Sequence, residues 1–458
     1  MPATTPRQAV PSATWLAIAA TTIIGLGLRI LAARGDYWLD EAWSALFAHE
    51  AGTPGRVLFA INHDNNHFLN TLWLQAIGWG AMPILGRALS IVTGTAAITV
   101  AGLIGARRGF RPAALAAALF ALSPILVTYG SEARGYAPML LALLCAIWIV
   151  DRDLNGTPLP RAPQWLGLAA LFGMLAHVSM LVGIAALMIW VAAQQARSMG
   201  AKGALRATAR LFGRAVAAVA AVLLMIAIAA AFSPEGFRMG TRTAFAWGPF
   251  VDALAYMLAF TVGWPFRIGF WLLPILLLPA VLTVRGRGIF QGVAIIGLPV
   301  AVALLQPGNS AFPRYYLLSA VALLLLLADL LAARRWSLLL AGAMLAGSLV
   351  VDARIIADQR GRPGEAVDAM ARRGPGAMVL ADEAKDSAVL EAAAVSRRYG
   401  LRVATQCDPA ISYLFAENNG TVALPRWAAR CGASFQALAS GQSATLSGMA
   451  WQLYERVP

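Results

Sequence analysis

The stretch PRYYLLSAVALLLLLADLLAARR (313–335) reads as one membrane crossing. Its interior, 314–331, approaches the roughly 20 apolar residues a helix needs to cross a hydrocarbon layer. Arg314 stands at one mouth, and Arg334 and Arg335 follow the other. Working outward with the same ruler, spans fall near 12–33, 82–104, 112–129, 136–150, 164–177, 179–195, 212–232, 268–284, 288–306 and 337–351. The two between 164 and 195 are short enough to be half-helices. The segment FVDALAYMLAFTVGW (250–264) is either a twelfth span or a helix lying in the interface.

Composition agrees with this pattern. Of 458 residues, 59% are hydrophobic and only 13% charged, against about 25% charged in soluble domains. Too little charge is available to cover a globule of this size, which excludes an ordinary cytosolic enzyme, a disordered chain and a fibrous one. The formal charge of +14 is not spread evenly: residues 1–351 hold 24 of the 36 basic and 11 of the 22 acidic residues. The excess therefore belongs to the apolar part, where basic residues mark cytoplasmic loops and lipid phosphates. No basic run interleaves with aromatics on a polar segment, so no nucleic-acid partner is expected.

Loop charge sets the expected orientation. Arg107, Arg108 and Arg111 follow the second span; Arg197, Lys202, Arg206, Arg210 and Arg214 share one loop; Arg285 and Arg287 another; Arg334 and Arg335 a third. Placed on one side, they make it the cytoplasmic side. Eleven spans then put the N-terminus inside and the C-terminus outside an inner (plasma) membrane, with 250–264 interfacial. The first apolar run reads as a retained span, since no A-x-A-like cleavage site follows it.

Two domains follow: a membrane domain, 1–351, and a tail, 352–458. In the tail, GAMVLAD (376–382), LRVATQ (401–406) and AWQLYERV (450–457) read as strands. SAVLEAAAVSRRYG (387–400) reads as a helix closed by Gly400. The tail is thus expected to be a small α/β domain outside the membrane. Cys145 falls inside a span and reads as packing. Cys407 and Cys431 both lie in the tail, where an oxidising compartment would allow a disulfide; two cysteines in one domain need not meet, so the pairing stays open.

Polar chemistry gathers in the expected outer loops. Asp36, Asp40, Glu41, Glu50 and Asp64 fall within the first, with His49, His63 and His67; the fourth histidine, His177, sits at another outer hinge. DYWLDEAWSALFAHE (36–50) and INHDNNHFLNTLWLQ (61–75) look like amphipathic helices on the membrane surface. Polar loops contain Asp and His as a matter of course, but Asp40-Glu41 is set in an apolar run, where carboxylates are costly unless used. LVTYGSEARGYAPMLL (126–141) places Glu132 and Arg134 at the outer boundary, and NSAFPRYYLL (309–318) places Arg314 there. A lone interfacial Arg usually anchors a helix, whereas an Arg fork also fits phosphate.

In order and spacing, DYWLDEAWS, NHDNNHFLNTLWL, SEARGYAPMLL and PRYYLL resemble the bacterial protein mannosyltransferase and aminoarabinose-transferase branch of the GT-C glycosyltransferases, over roughly residues 10–351. The resemblance implies an all-α polytopic fold, a block of spans plus two juxtamembrane helices in the first outer loop, in agreement with the eleven spans read from hydropathy. It implies transfer of a hexose or pentose from a polyprenyl-phosphate-linked donor to a glycan, lipid or protein acceptor, by an inverting displacement. It makes Asp40, with Glu41 beside it, the acid that aligns or deprotonates the acceptor. Glu132 becomes a second acid, and Arg134 and Arg314 bind the departing lipid phosphate. His67, Asp64 and Tyr136 become substrate-positioning residues, although His67-Phe68-Leu69-Asn70 stands where relatives often carry His-Pro-Pro-Leu.

A divalent metal is not required. His63, Asp64 and His67 could present mixed nitrogen and oxygen ligands, with Asp40 or Glu132 to complete a site and the two histidines on one face if the segment is helical. Two other classes compete: a transporter or flippase for a lipid-linked saccharide, and an assembly protein recruiting partners through the tail. Transporters tend to carry midplane charges and matching halves, whereas here the spans hold few ionisable groups and the halves do not repeat.

Overall fold

The computed structural model describes residues 11–61, 63–232, 243–264, 287–381, 383–418 and 424–457. Six helices among them are long and apolar enough to cross a membrane: Ser12–Ala32, Ala88–Ala106, Met180–Ala231, Gly288–Leu305, Pro313–Ala333 and Ser337–Gly361. Tyr136–Leu154 and the shorter apolar helices Phe110–Leu122, Ala162–Ala176 and Trp247–Val262 are the other bundle helices of this length among the described residues. The expected span at 268–284 lies outside the described residues.

The stretch 313–335 forms the middle of the bundle. A 3-10 turn at Pro313–Tyr316 leads into helix Leu317–Ala333, which is buried along most of its length. Near its far end Asp329 meets Arg108 (3.7 Å) and Arg287 (3.1 Å), while Arg107 pairs with Asp151 (2.9 Å). Arg314 to Asp329 covers about 22 Å of helix at the usual rise. Arg107, Arg108 and Arg287 therefore gather at the end of the bundle opposite Arg314.

Two expectations about element boundaries need correction. The span 112–129 breaks at Ser123, where Pro124 opens a new helix (Pro124–Tyr129) and cannot donate to the preceding turn. The basic segment 197–214 is not a loop. It is helical on both sides of a kink at Gly200, whose φ of 71° and ψ of 169° suit glycine and divide Met180–Ala231 into two helices. Buried Ala204, Thr208, Leu211, Phe212 and Ala215 recur at helical spacing there, which gives the segment an inward face despite its arginines. Trp247–Val262 begins with Phe250 against Tyr316 (6.2 Å) and ends with the Thr261 carbonyl accepting from Ser123 Oγ (2.9 Å). It runs from the Arg314 end into the bundle rather than lying flat on it.

Between the first two spans the chain forms helices Leu39–Ala51, Pro54–Phe59 and Phe68–Ile77. The first and third fall on the two segments expected to be amphipathic helices. The third, however, starts only at Phe68, because His67 is its N-cap and the preceding residues are irregular.

Helix Ser337–Asp358 carries the chain past residue 351 into the tail. The tail is a six-stranded mixed sheet in the order β2-β1-β3-β6-β5-β4. The strands are β1 Gly376–Ala381, β2 Gly400–Ala404, β3 Tyr413–Asn418, β4 Trp427–Arg430, β5 Ala433–Gly441 and β6 Ala450–Arg456. β1 pairs in parallel with β2 and β3; the remaining pairs are antiparallel. The helix between β1 and β2 spans Ala384–Arg397 and is closed by Arg398 in the left-handed region (φ 53°). Gly400, expected as its cap, is instead the first residue of β2, paired with Gly376. Cys407 and Cys431 form a disulfide.

Tail and first loop share one apolar core. Tyr37, Ala42, Ala45, Ala48 and Leu74 pack with Val367, Met370, Val389, Ala393 and Trp451. Arg397 adds an ion pair to Asp36 (2.6 Å). The tail is thereby seated directly on the segment that carries Asp40.

Candidate active site

Three segments far apart in sequence converge on one carboxylate. Asp40, in the first turn of helix Leu39–Ala51, receives Arg134 Nη1 at 2.6 Å and Arg314 Nη1 at 3.2 Å on the same oxygen. Arg134 comes from the turn before helix Tyr136–Leu154 and Arg314 from the 3-10 turn at the head of the central helix. Gly135 lets the turn approach: a Cβ there would strike the Ala176 carbonyl and come within 2.7 Å of His67 Cβ.

The site carries more cation than anion. Burial alone would raise the proton affinity of Asp40, but Arg134, Arg314 and Lys385 outweigh it and hold the carboxyl below its ordinary value. Lys385 belongs to the tail helix and stands 3.7 Å from Asp64, whose carboxylate also accepts from Trp43 Nε1 (3.2 Å). Asp40 thus stays ionised between two guanidinium groups. The Nε atoms of both arginines are buried without a partner among the described residues.

Aromatic and imidazole rings surround the pair. Arg134 lies over Tyr136 (5.6 Å), and Arg314 over Phe312 (4.3 Å) and Tyr315 (5.7 Å). Tyr136 in turn packs on Tyr129 (5.0 Å) and His177 (4.6 Å). His67 faces Ser44 Oγ (3.5 Å) and Thr71 Oγ1 (3.3 Å). Burial, reinforced by Arg134, pushes its pKa down to about 3 and keeps it neutral.

The two other acids named from the sequence point elsewhere. Glu41 is fully buried against Arg87, taking Nε at 2.8 Å and Nη2 at 2.5 Å, and also accepts the Ala133 N–H (2.7 Å). Glu132 is buried beside Arg360 and Ser447 of the tail, with Oε1 unpartnered among the described residues. Burial raises its pKa to about 7, against the opposing pull of Arg360.

His63, Asp64 and His67 do not assemble a metal centre. His63 packs on Phe47 (4.6 Å) and lies 3.9 Å from Asp64, while His67 hydrogen-bonds within its own helix turn and to Ser44. The i, i+4 relation fails because residues 63–67 are not helical. Among the described residues no group of three or more metal-ligating side chains comes together.

Sequence reasoning did not place Lys385, Tyr129 or His177 in the site. Lys385 carried a faint signal, being one of two lysines beside 34 arginines. Nothing in the tail's sequence shows that its helix reaches the first loop.

No family model matches the chain, and no curated protein matches it by sequence. Solved structures do. ArnT from Cupriavidus metallidurans in the apo state superposes with a TM-score of 0.61 at 12% identity, over 96% of this chain and 97% of that one. The same protein bound to undecaprenyl phosphate gives 0.58 at 14% identity, over 97% and 98%. The chain has the ArnT fold. The match extends over bundle and tail together, so the likeness of fold takes in nearly the whole chain. At this identity the ArnT likeness concerns architecture, and the chemistry has to be argued from the side chains.

Proposed function

We propose that the protein is an integral-membrane glycosyltransferase. It moves a sugar from a polyprenyl-phosphate-linked donor to an acceptor hydroxyl on the extracytoplasmic face of the inner membrane. The observation that carries this is the Arg134–Asp40–Arg314 cluster: two enclosed guanidinium groups share one carboxylate and retain Nε donors without partners among the described residues. Such a site has the charge and the planar donor geometry for a phosphodiester. The binding of undecaprenyl phosphate by an ArnT of the same fold supports a lipid of this class.

The chemistry follows from charge. Breaking the bond between the anomeric carbon and the phosphate oxygen leaves negative charge on the carrier phosphate. Arg134 and Arg314 stand ready to neutralise it without rearranging, which is the largest kind of catalytic term in such sites. The acceptor oxygen attacks from the opposite face and inverts the anomeric centre. Its proton becomes strongly acidic only as the new bond forms, so even a carboxylate of lowered basicity such as Asp40 serves as its acceptor. Asp64 with Lys385, His67 and Tyr136 neighbour this cluster and position substrate. Glu41 acts by holding the Arg134 turn through the Ala133 N–H, and Glu132 by joining that turn to the tail.

The sidedness is supported by the arginines at the bundle's other end, which the positive-inside rule assigns to the cytoplasm with the N-terminus. The tail with its disulfide is then extracytoplasmic.

The test is to supply radiolabelled polyprenyl-phosphate hexoses and pentoses to membranes with and without the protein and to identify the labelled product as glycan, lipid or protein. Label should leave the carrier only where the protein is present, and Asp40→Asn should lower that transfer by about 100-fold or more. Label that stays on every carrier offered, or an Asp40→Asn variant with normal turnover, would refute the assignment.

A further inference from the structure

The hinge Ala176–Ser179, between helix Ala162–Ala176 and the long helix starting at Met180, is not a passive connection. Its backbone enters the first loop, where Val178 N–H donates to the Asn66 carbonyl (3.3 Å). Its side chain His177 is 1% exposed and lies against the ring of Tyr136, on which Arg134 also packs.

The protonation of that ring can be read from its neighbours. The Ser179 backbone N–H, which can only donate, reaches His177 Nδ1 at 3.1 Å, and Ser179 Oγ, whose hydroxyl can donate to the same nitrogen, lies 2.8 Å from it. Nδ1 is therefore the acceptor nitrogen. Burial, with His67, Arg134 and Arg314 nearby, holds the pKa well below the ordinary value, so the ring is neutral. A neutral ring accepting at Nδ1 carries its proton on Nε2. That Nε2–H is buried and has no partner among the described residues, and the hydroxyl of Tyr136, whose ring centroid lies 4.6 Å from that of the imidazole, has none either. Leaving buried polar groups unmade costs about 1–3 kcal/mol each, and buried groups without partners call for a ligand, a water or an ion.

The chemistry of the missing partner follows from what surrounds it. Arg134 and Arg314 provide for the phosphate. His177 and Tyr136 add uncharged donors next to the faces of Tyr129 and Tyr136, a setting that suits a neutral polyhydroxylated ring. We propose that His177, through Nε2–H, and Tyr136, through its hydroxyl, form the subsite for the sugar of the donor and read one of its hydroxyl or ring oxygens. The proposal rests on the transferase function above and adds to it the residues that distinguish a glycosylated carrier from a bare one.

The experiment compares ligands that differ only by the sugar. The full-length protein in nanodiscs is titrated with undecaprenyl phosphate and with undecaprenyl phosphate carrying mannose, glucose or arabinose, followed by tryptophan fluorescence. The wild type should bind at least one glycosylated carrier more tightly than the bare one. His177→Leu should lose about tenfold of that gain, as expected for one neutral hydrogen bond, and keep its affinity for undecaprenyl phosphate. His177→Gln, which retains an N–H donor, should recover most of the loss. If His177→Leu does not fold, His177→Phe makes the same comparison, keeping a ring against Tyr136 while removing the N–H. Equal loss for bare and glycosylated carriers, an unchanged gain in both variants, or no gain from any sugar in the wild type would overturn the subsite. A wild type that fails to bind even undecaprenyl phosphate would instead refute the transferase assignment itself.

Discussion

At the scale of single residues, the acids named together from the sequence separate into different physical states. Asp40 is an anion between cations, and Glu41 has both oxygens occupied. Glu132 has an enclosed oxygen without a partner among the described residues. The raised pKa of Glu132, about 7 against an ordinary 4.5, means that the folded state binds its proton more tightly than the unfolded chain. Stability contributed by this group is present below the unfolded value and is lost as pH rises towards 7. Glu132→Gln should therefore flatten the fall in melting temperature between pH 5 and 8 and be the more stable variant at pH 8. Parallel curves for the two proteins would contradict that state. Asp40, Arg134 and Arg314 were legible in sequence because charge is scarce in an apolar chain, so each exception is conspicuous. His177 was visible only as an isolated histidine, since the groups that give it meaning come from other segments. Lys385 was hidden in a polar helix where a lysine is unremarkable.

At the scale of elements, hydrophobic length located the bundle because a crossing helix must satisfy its backbone internally and present apolar side chains. The breaks were harder to see. Pro124 and Gly200 each interrupt a run whose composition reads straight through or stops too early. In the tail, β1, β2 and β6 showed clear apolar patterns, whereas β3, β4 and β5 were missed. ASFQALASG, the sequence of β5, has small residues on both faces and hardly alternates. The turn that delivers Arg134 depends on two devices. Glu41→Ala would leave Arg87 buried without its counter-ion and should cost about 3–5 kcal/mol in denaturation. Gly135→Ala should push the turn off the Ala176 carbonyl, costing about 1–3 kcal/mol and lowering transfer as Arg134 moves. Melting curves in detergent that match the wild type for both variants would remove this account of how the site is held.

At the scale of the whole molecule, the tail belongs to the site's architecture rather than being appended to it. Arg360, in the left-handed region (φ 58°), donates to the carbonyls of Ala32 (2.8 Å) and Ser131 (2.6 Å), tying the tail's entry to the first span and to the Arg134 turn. With the shared core, this makes the position of Lys385 over the first loop a property of the entire chain. Arg360→Met should loosen that seat and speed limited proteolysis between 358 and 364, while the sheet with its Cys407–Cys431 disulfide stays intact; an unchanged cleavage rate would argue against the tie. The sequence already separated an apolar bundle from a polar tail, but not their docking, because a core shared by two distant segments leaves no periodicity in either. The central claim is that the two arginines bind the carrier phosphate as the sugar leaves. It is tested most directly by counting the polyprenyl phosphate released per sugar transferred in proteoliposomes that carry wild-type or Arg314→Ala protein. The account predicts one carrier released per sugar moved by the wild type and a rate lower by about 100-fold or more in the folded variant; release at the wild-type rate by Arg314→Ala would contradict it.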